Sequence, residues 1–465
     1  MVIYKTIKTY KGIYFYDRDC NKIVPICKEE YELLNKYGGN AEYIKNDLTL
    51  KKYTEAGFLQ ENAIKEIRHQ DTDYIEYYVN GQTKQMTLQI TQDCNLRCDY
   101  CVYSGKFDNR CHSHKRMDFL VAQKSIDYLY LHSNKLDEVI IGFYGGEPLL
   151  EYKLIKEIIG YARKKFIHKN IQFVITTNGT LLTLDKVEFL KQNNVKVTIS
   201  LDGPQHIHDR SRVFESGEGS YSIIRKNIEE ILKHFPDFKR NISFNVVLDP
   251  TNNYEDVIDY FENDKMYKGI SVLINSMDVS GLPDRENALD NFVIQKNYEH
   301  TYFLLALLDK IKVEKNIRTF EYMKTNIMGI HNNLSHSRIM SGKAHPSGPC
   351  IPGVRRLFVT TEGKLYPCER VPEDNIVCLG DLESGINIEK AKQIINLGYL
   401  LTEDCKNCWA LNHCTICVRD IIERGKYSIE KKKEKCRLNR KRILEEFVEI
   451  CLLYELGYNF EGDST

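Results

Sequence analysis

Short apolar strands alternate with helix-period stretches through the middle of the chain. The strand candidates are residues 86–91, 138–144, 172–177, 195–201, 241–248 and 269–275. Helical spacing of apolar positions separates them, at residues 118–133, 153–166, 185–193 and 222–235. Repeated β–α alternation with mostly apolar strands is typical of a parallel sheet covered by helices. The pattern therefore predicts an α/β fold for residues 84–286.

The flanking regions have other patterns. Residues 1–80 combine the strand-like runs GIYFY and KIVPI with helix-period segments, which predicts either a small winged-helix-like domain or a cap on the rest of the chain. Residues 287–345 predict a helical connector. Residues 346–440 are punctuated by glycine and proline and contain eight of the 15 cysteines. Residues 441–465 predict an amphipathic C-terminal helix that packs on the body.

Composition narrows the class of protein. Lys+Arg total 65 and Asp+Glu total 65, so no excess of charge draws the chain toward nucleic acid or an anionic membrane. The N-terminus has no apolar core of the kind a signal peptide needs, and no apolar run reaches the ~18 residues of a spanning helix. We therefore expect a cytoplasmic protein, in which clustered cysteines are metal ligands more often than disulfides.

Three of these cysteines lie together in the stretch CNLRCDYC, directly after the strand predicted at residues 86–91. A [4Fe–4S] cluster normally has four cysteine ligands, so three would leave one iron open to a chelating substrate or cofactor. The alternative is a structural zinc site, closed by the three thiolates and a histidine, for which His112 and His114 are near in sequence. The spacing alone leaves both interpretations open.

Later strand ends favour the first interpretation. GGEP (145–148), TNGT (177–180) and SLDG (200–203) each come after a predicted strand, at the edge where parallel α/β folds bind ligands. Together with the cysteine spacing and an aromatic residue before the last cysteine, they resemble the radical S-adenosylmethionine (SAM) superfamily. That resemblance, over roughly residues 84–280, implies a partial (β/α)6 TIM-like barrel that binds SAM at the open iron.

The resemblance also implies roles for individual residues. The SAM cluster is expected on Cys94, Cys98 and Cys101. Contacts to SAM are expected from Tyr100, Gly145, Gly146, Glu147, Asn178, Ser200, Asp202 and Arg212.

Within that set, Tyr100 is expected at the adenine and the two glycines at the methionine amino group. Asn178, Ser200 and Asp202 are ribose candidates, and Arg212 is a candidate for the SAM carboxylate. The alternative for these last four is ordinary turn chemistry, since Asn-Gly and Asp-Gly are turn formers in any protein. No general base is identified.

The C-terminal cysteines resemble the SPASM extension of radical SAM enzymes, which holds two auxiliary [4Fe–4S] clusters. The resemblance implies three clusters in total and two auxiliary ligand sets: Cys350, Cys368 and Cys417 with one open iron, and Cys405, Cys408, Cys414 and Cys436. The family usually has C-x3-C where this chain has Cys414-Thr-Ile-Cys417, which leaves those two assignments open and makes Cys378 an alternative ligand. A pair of zinc knuckles is the other interpretation.

The string GPCIPGVRRLFVTTEGKLYPCERV is similar to maturases that install thioether crosslinks in cysteine-rich ribosomal peptides. The resemblance implies a precursor peptide bound through its leader, by β-augmentation on residues 1–80, and a flavodoxin- or ferredoxin-like electron donor. Two alternatives remain: oxidation of a protein Cys or Ser side chain, as in anaerobic sulfatase-maturating enzymes, and a non-catalytic zinc-binding interaction protein.

Overall fold

The computed structural model describes residues 1–107, 110–277, 279, 290–312, 318–336, 340–346, 348 and 350–461, without the side chains of 318–322. Its first unit is an antiparallel three-stranded sheet, in the order β1-β2-β3, followed by three helices. The elements are β1 (Tyr4–Lys8), β2 (Ile13–Asp17), β3 (Lys22–Pro25), α1 (Lys28–Tyr37), α2 (Ala41–Asn46) and α3 (Lys51–Glu55).

The apolar positions of this unit form their own core, which contains Phe15, Leu34 and Leu50. The buried Glu30 accepts a hydrogen bond from the Cys27 N–H, 2.7 Å away, and so caps the start of α1. The sequence does not predict β1, because its residues YKTIK include one aliphatic side chain and read as polar. The winged-helix-like, leader-binding character of residues 1–80 stays a prediction.

The next elements, β4 (Glu66–Ile67) and α4 (Ile75–Val79), belong by packing to the rest of the chain. β4 pairs in parallel with residues 343 and 344. Ile75 and Val79 of α4 are buried in the core of the large central sheet. The packing of residues 1–80 therefore changes partner at about residue 60.

Six parallel strands, hydrogen-bonded in sequence order, form the centre of the molecule. Each lies within three residues of its predicted position, and helices alternate with them as the sequence pattern indicates. The elements are β5 (Gln85–Thr91), α5 (Phe119–Leu131), β6 (Glu138–Gly145), α6 (Tyr152–Lys165), β7 (Asn170–Thr177), α7 (Leu184–Gln192), β8 (Lys196–Ser200), α8 (Gln205–His208), α9 (Tyr221–His234), β9 (Ile242–Leu248), α10 (Tyr254–Asn263) and β10 (Ser271–Ser276).

Side chains alternate between the two faces of these strands. On β6, Val139, Ile141 and Phe143 are buried in the core shared with the helices, whereas Ile140 and Tyr144 are only half-buried. The helix-facing row is thus apolar, and the other row lines the inside of the curved sheet.

Two long helices, α11 (Asp290–Leu307) and α12 (Arg318–Ser335), occupy the predicted connector and are followed by β11 (Lys343–Ala344). The predicted boundary at residues 286 and 287 lies outside the described residues. None of the described helices is long and apolar enough to cross a lipid bilayer.

The cysteine-rich region continues the central sheet. β12 (Leu357–Val359) pairs in parallel with β5, and an antiparallel ladder of β13 (Lys364–Tyr366), β14 (Gly380–Asp381) and β15 (Gly385–Ile386) extends it to ten strands. The remaining elements are α13 (Ile388–Ile395), α14 (Thr402–Lys406), β16 (Ile422–Glu423), β17 (Lys426–Tyr427) and α15 (Ile429–Glu455). The C-terminal helix predicted for residues 441–465 therefore begins earlier, at Ile429, and carries Cys436; residues 462–465 are outside the described residues.

The N-terminal unit packs against α15 and the cysteine-rich region through buried polar and aromatic side chains. Tyr16 lies with its ring centroid 4.7 Å from that of Phe447. Arg18 is fully buried and donates to the Lys406 carbonyl (2.6 Å) and to Asn62 Oδ1 (2.7 Å). These residues join three separated parts of the chain, so residues 1–59 form an integral part of the folded body.

Arg18→Met should destabilise the protein by about 2–4 kcal/mol, because it leaves buried oxygen acceptors and the Asp19 carboxylate without their cation. Denaturant unfolding measures the change. Lys11→Met, at an exposed turn position, is the matched control and should change the unfolding free energy little. Equal stabilities of the two variants would contradict the role given to Arg18.

Candidate active site at the carboxyl ends of the strands

The clip of three cysteines comes directly after β5. Burial is the largest of the causes that raise the pKa of the Cys94 and Cys98 thiols to about 12. Neighbouring thiols contribute to these shifts: Cys98 and Cys101 act on Cys94, and Cys101 acts on Cys98. The three thiols are therefore mutual neighbours that stay protonated in the metal-free chain. A bound metal reverses this balance, because a coordinating thiol is deprotonated.

This donor set fits an iron–sulfur cube, in which each thiolate binds a different iron. Among the described residues, no three His, Cys, Asp or Glu side chains meet around a point that a single metal ion would occupy. A [4Fe–4S] cube instead requires three thiols that lie near each other at a strand end. The three cysteines of the clip fulfil this requirement. Its assignment as the SAM-cluster site stays a prediction.

The GGEP loop after β6 is fastened to the residues that precede the clip. Gly146 N–H donates to the Thr91 carbonyl (2.8 Å), and Glu147 N–H donates to the Asp93 carbonyl (2.9 Å). A Cβ on Gly145 would lie 2.0 Å from the Thr91 oxygen, and one on Gly146 would lie 2.0 Å from the Asp93 oxygen. Glycine is required at both positions because two backbones meet there. The sequence motif indicates only SAM binding for these glycines and gives no sign of this contact.

Glu147 is fully buried, and its carboxylate is used inside the protein. It accepts hydrogen bonds from Leu149 N–H (3.0 Å), Thr177 Oγ1 (2.8 Å) and Asn178 N–H (2.7 Å). Burial raises the pKa of Glu147 above its ordinary value, although these donors oppose the shift. The side chain thus ties the end of β7 to the loop after β6 and positions the site.

Asn178 is turned toward the clip. Its Nδ2 donates to Asn95 Oδ1 (2.8 Å) and lies 3.8 Å from Cys94 Sγ, within hydrogen-bonding range of a sulfur. Its Oδ1 accepts from the N–H (3.0 Å) and hydroxyl (2.7 Å) of Thr180. The structure thus places this ribose candidate beside Cys94, and its contact with SAM stays a prediction.

A buried ion pair links the fourth strand end to the clip. Asp202 accepts from Arg212 Nε (2.8 Å), from Val247 N–H (3.0 Å) and from the Tyr100 hydroxyl. Burial alone would raise the pKa of Asp202, but the Arg212 guanidinium holds it below its usual range. Arg212 lies 5.3 Å from the centroid of the Tyr100 ring, and its Nη1 is 4.0 Å from Cys98 Sγ.

Asp202 positions the side chains of Arg212 and Tyr100, because these two residues and the Val247 N–H already donate to its oxygens. Ser200, which is 8% exposed, ends β8 beside Asn245 of β9. The eight SAM-contact candidates thus lie in the clip or in the segments that end or follow β6, β7 and β8. Their contacts with SAM remain predictions.

The auxiliary cysteines fall into two neighbourhoods. The pKa of Cys414 is raised to about 12 by burial and then by the thiols of Cys408, Cys436 and Cys405. In the other neighbourhood, the Cys417 thiol acts on the pKa of Cys368, and the Cys350 thiol acts on that of Cys417. These are the same two sets that the sequence resemblance implies.

Cys378 has different surroundings. Its thiol lies 3.4 Å from the Gly380 carbonyl oxygen, to which it donates, and it is a neighbour of the Tyr366 hydroxyl. These contacts are those of a structural thiol and favour the assignment of Cys417 over Cys378 as a ligand. The cluster assignments themselves stay predictions.

The sequence did not predict a network of polar side chains inside the curved sheet. This network connects the loop after the clip to the cysteine-rich region. Arg110 donates to the carbonyls of Glu369 (2.9 Å) and Val371 (2.9 Å), and its Nε lies 3.0 Å from Glu373 Oε1. Gln89 Nε2 donates to Glu373 Oε1 (2.6 Å) and to the Tyr103 hydroxyl (2.8 Å). More than 250 residues separate Arg110 and Gln89 from their partners at 369–373 along the chain, so no local pattern signals these contacts.

Comparison with known proteins agrees with this site. Residues 88–263 match the family described as the radical SAM superfamily. They form a radical SAM domain. The match begins in β5 and ends in α10, so it includes the clip, the GGEP loop and the ends of the next three strands.

Two named relatives share the domain. The chain is 25% identical over 424 residues to the radical SAM cyclopropyl synthase TigE of Paramaledivibacter caminithermalis, a match that covers 87% of this chain and 83% of the relative. It is 26% identical over 328 residues to a cysteine-type anaerobic sulfatase-maturating enzyme of Clostridium perfringens, covering 68% of this chain and 83% of the relative.

Among solved structures, native anSMEcpe with bound AdoMet and Kp18Cys peptide has a similar fold. The TM-score is 0.55 at 20% identity, with 78% of this chain and 98% of that chain covered. At this identity the likeness supports the fold alone.

Gly145→Ala should reduce the iron bound after anaerobic reconstitution and reduce SAM cleavage at least about tenfold, or about 1.4 kcal/mol. The added Cβ must displace the Thr91 carbonyl, at a backbone φ of 137° that side chains rarely adopt. Gly160→Ala in α6, where nothing lies within 4 Å of the added carbon, is the matched control and should stabilise the helix slightly. Normal iron content and cleavage in Gly145→Ala would contradict the backbone-contact argument.

Proposed function

We propose that this protein is a radical SAM enzyme that modifies a ribosomal precursor peptide by joining a peptide cysteine thiol to a peptide carbon. The observation that carries the proposal is the second, three-thiol neighbourhood of Cys350, Cys368 and Cys417, in which Cys368 follows a strand of the sheet that carries the clip and the backbone next to it is linked to the loop after the clip through Arg110. When bound, SAM and the clusters would supply a 5′-deoxyadenosyl radical that takes one hydrogen atom and an acceptor for the remaining electron. The crosslinked peptide has then lost two hydrogens, the second as the thiol proton.

Contacts within the chain connect the regions of the two cysteine groups. Cys368 lies two residues after β13, in the extension of the central sheet, and the next residues are held by Arg110 from the loop after the clip. Three protein thiols leave room for a fourth sulfur ligand on a cube, and a peptide cysteine can supply it. Ligation keeps such a thiol deprotonated and in place for bond formation.

Peptide binding by the N-terminal unit is the second part of the proposal. A cavity of 460 Å³ lies along β3, lined there by Lys22, Ile23 and Pro25 and on its other sides by α12 and α15. A leader peptide could add a strand at this edge and place side chains in the cavity. The match to the cyclopropyl synthase over most of this chain supports a role for regions outside the radical SAM domain. A flavodoxin- or ferredoxin-like electron donor and a cytoplasmic location complete the proposal.

Oxidation of a Cys or Ser side chain on a protein is the second candidate. It is favoured by the match that covers 83% of a cysteine-type sulfatase-maturating enzyme. The two activities differ in product: a thioether consumes a free thiol and removes two hydrogens, whereas oxidation to an aldehyde creates a hydrazine-reactive carbonyl. A third possible product is a carbon–carbon ring, which the name of the cyclopropyl synthase relative suggests. Its formation removes two hydrogens and leaves every thiol free.

Cys98→Ala should abolish formation of 5′-deoxyadenosine from SAM and a reductant, since a thiolate of the SAM cluster is lost. Cys111→Ala, an exposed cysteine on the loop after the clip, is the control and should keep the activity.

Metal analysis of the reconstituted protein runs in parallel. One zinc per cysteine group without a visible-light chromophore would reject the enzyme proposal in favour of a zinc-binding interaction protein.

Cys368→Ala should uncouple the reaction, because the clip is intact but the peptide thiol has lost its position. We expect 5′-deoxyadenosine to persist while the crosslinked peptide falls at least about tenfold. Mass spectrometry, with thiol alkylation of peptides from neighbouring reading frames, detects the product. Cys378→Ala is the matched control and should yield normal product; a Cys368→Ala enzyme with full crosslinking would overturn the proposed role.

A further inference from the structure

Lys432 is a buried lysine at one of the auxiliary cysteine groups. It lies in α15, four residues before Cys436 and so one helical turn away on the same face. It is 4% exposed, and its Nζ donates to the Leu397 carbonyl (2.5 Å). Cys405 and Cys436 also lie together in a small apolar cluster with Leu401 and Leu411. The ammonium group is thus enclosed with the thiols, away from water.

A buried ammonium is costly unless an anion or several acceptors offset the lost hydration. One carbonyl oxygen offsets only part of this cost. Burial lowers the pKa of Lys432, and the groups that oppose this shift are the thiols of Cys405, Cys436 and Cys414 and the carboxylate of Asp404, which is on an exposed residue. His345 is also near, and burial lowers its pKa to about 4, so it is neutral at pH 7. The cysteine thiols supply the negative charge that offsets the ammonium when they bind metal as thiolates.

We infer that Lys432 raises the reduction potential of the cluster held by Cys405, Cys408, Cys414 and Cys436. This inference rests on the proposed function, which places a cluster there. A cluster with four thiolates is anionic, and reduction adds a further negative charge. A fixed cation beside it stabilises the reduced form more than the oxidised form, and net charge near a cluster is a main determinant of its potential.

The test compares reduction potentials in the full-length, anaerobically reconstituted protein. Electron paramagnetic resonance during a redox titration monitors each cluster, and the relevant signal is the one that Cys408→Ala removes. Lys432→Met should lower the midpoint potential of this cluster by ~59 mV for one electron. At a fixed potential, the ratio of reduced to oxidised cluster then falls about tenfold. Lys432→Arg should restore the wild-type midpoint.

Lys433→Met is the matched control, since Lys433 is exposed on the same helix. Equal midpoints in Lys432→Met and Lys433→Met would overturn the inference and leave the cluster assignment intact. Lys432→Gln removes the charge but keeps a donor for the Leu397 carbonyl; loss of the cluster in both uncharged variants would make Lys432 a purely structural residue and also overturn the inference. A wild-type protein without a signal that depends on Cys408 would instead reject the proposed ligand set.

Discussion

The site depends on one close approach between two backbones at the edge of the central sheet. The loop after β6 donates two N–H groups to the carbonyls of Thr91 and Asp93, just before the first cysteine of the clip. Any side chain on Gly145 or Gly146 would overlap those carbonyls. The direction in which the clip leaves β5 is therefore fixed by its neighbour strand, and the positions of its three thiols depend on that direction.

Two buried carboxylates extend this constraint along the sheet edge. Glu147 fastens the end of β7 to the loop after β6, and Asp202 holds Arg212 and Tyr100 over the clip. Both are acidic side chains whose oxygens are bound by donors from the chain, which is how a buried carboxylate avoids the cost of lost hydration. They rigidify the mouth. The groups left to meet a ligand are the thiols, the Arg212 guanidinium and the backbone at the strand ends.

The sequence was sufficient for the parts of the fold that local patterns encode. The six parallel strands, their helices and the ends that carry GGEP, TNGT and SLDG all lie where periodicity and turn residues place them. β1 was not predictable because a short, mostly polar strand depends on its pairing partner rather than on its own side chains. The pairing of β12 with β5 was equally hidden, since it joins segments more than 260 residues apart. Arg110 and Glu373 were missed for the same reason.

The pairing of β12 with β5 joins the cysteine-rich region to the sheet that carries the three-cysteine clip. Because β12 and β13 extend the sheet that carries the clip, Cys368, two residues after β13, follows a strand of the same sheet, and Arg110 joins the loop after the clip to the backbone at Glu369 and Val371. The relatives with the same domain, a cyclopropyl synthase and a sulfatase-maturating enzyme, have different products in their names. Under the proposed function, the product depends on which groups the bound peptide presents to each cysteine group. The N-terminal unit, which packs against α15 through Tyr16 and donates to the Lys406 carbonyl through Arg18, is the proposed site of peptide binding.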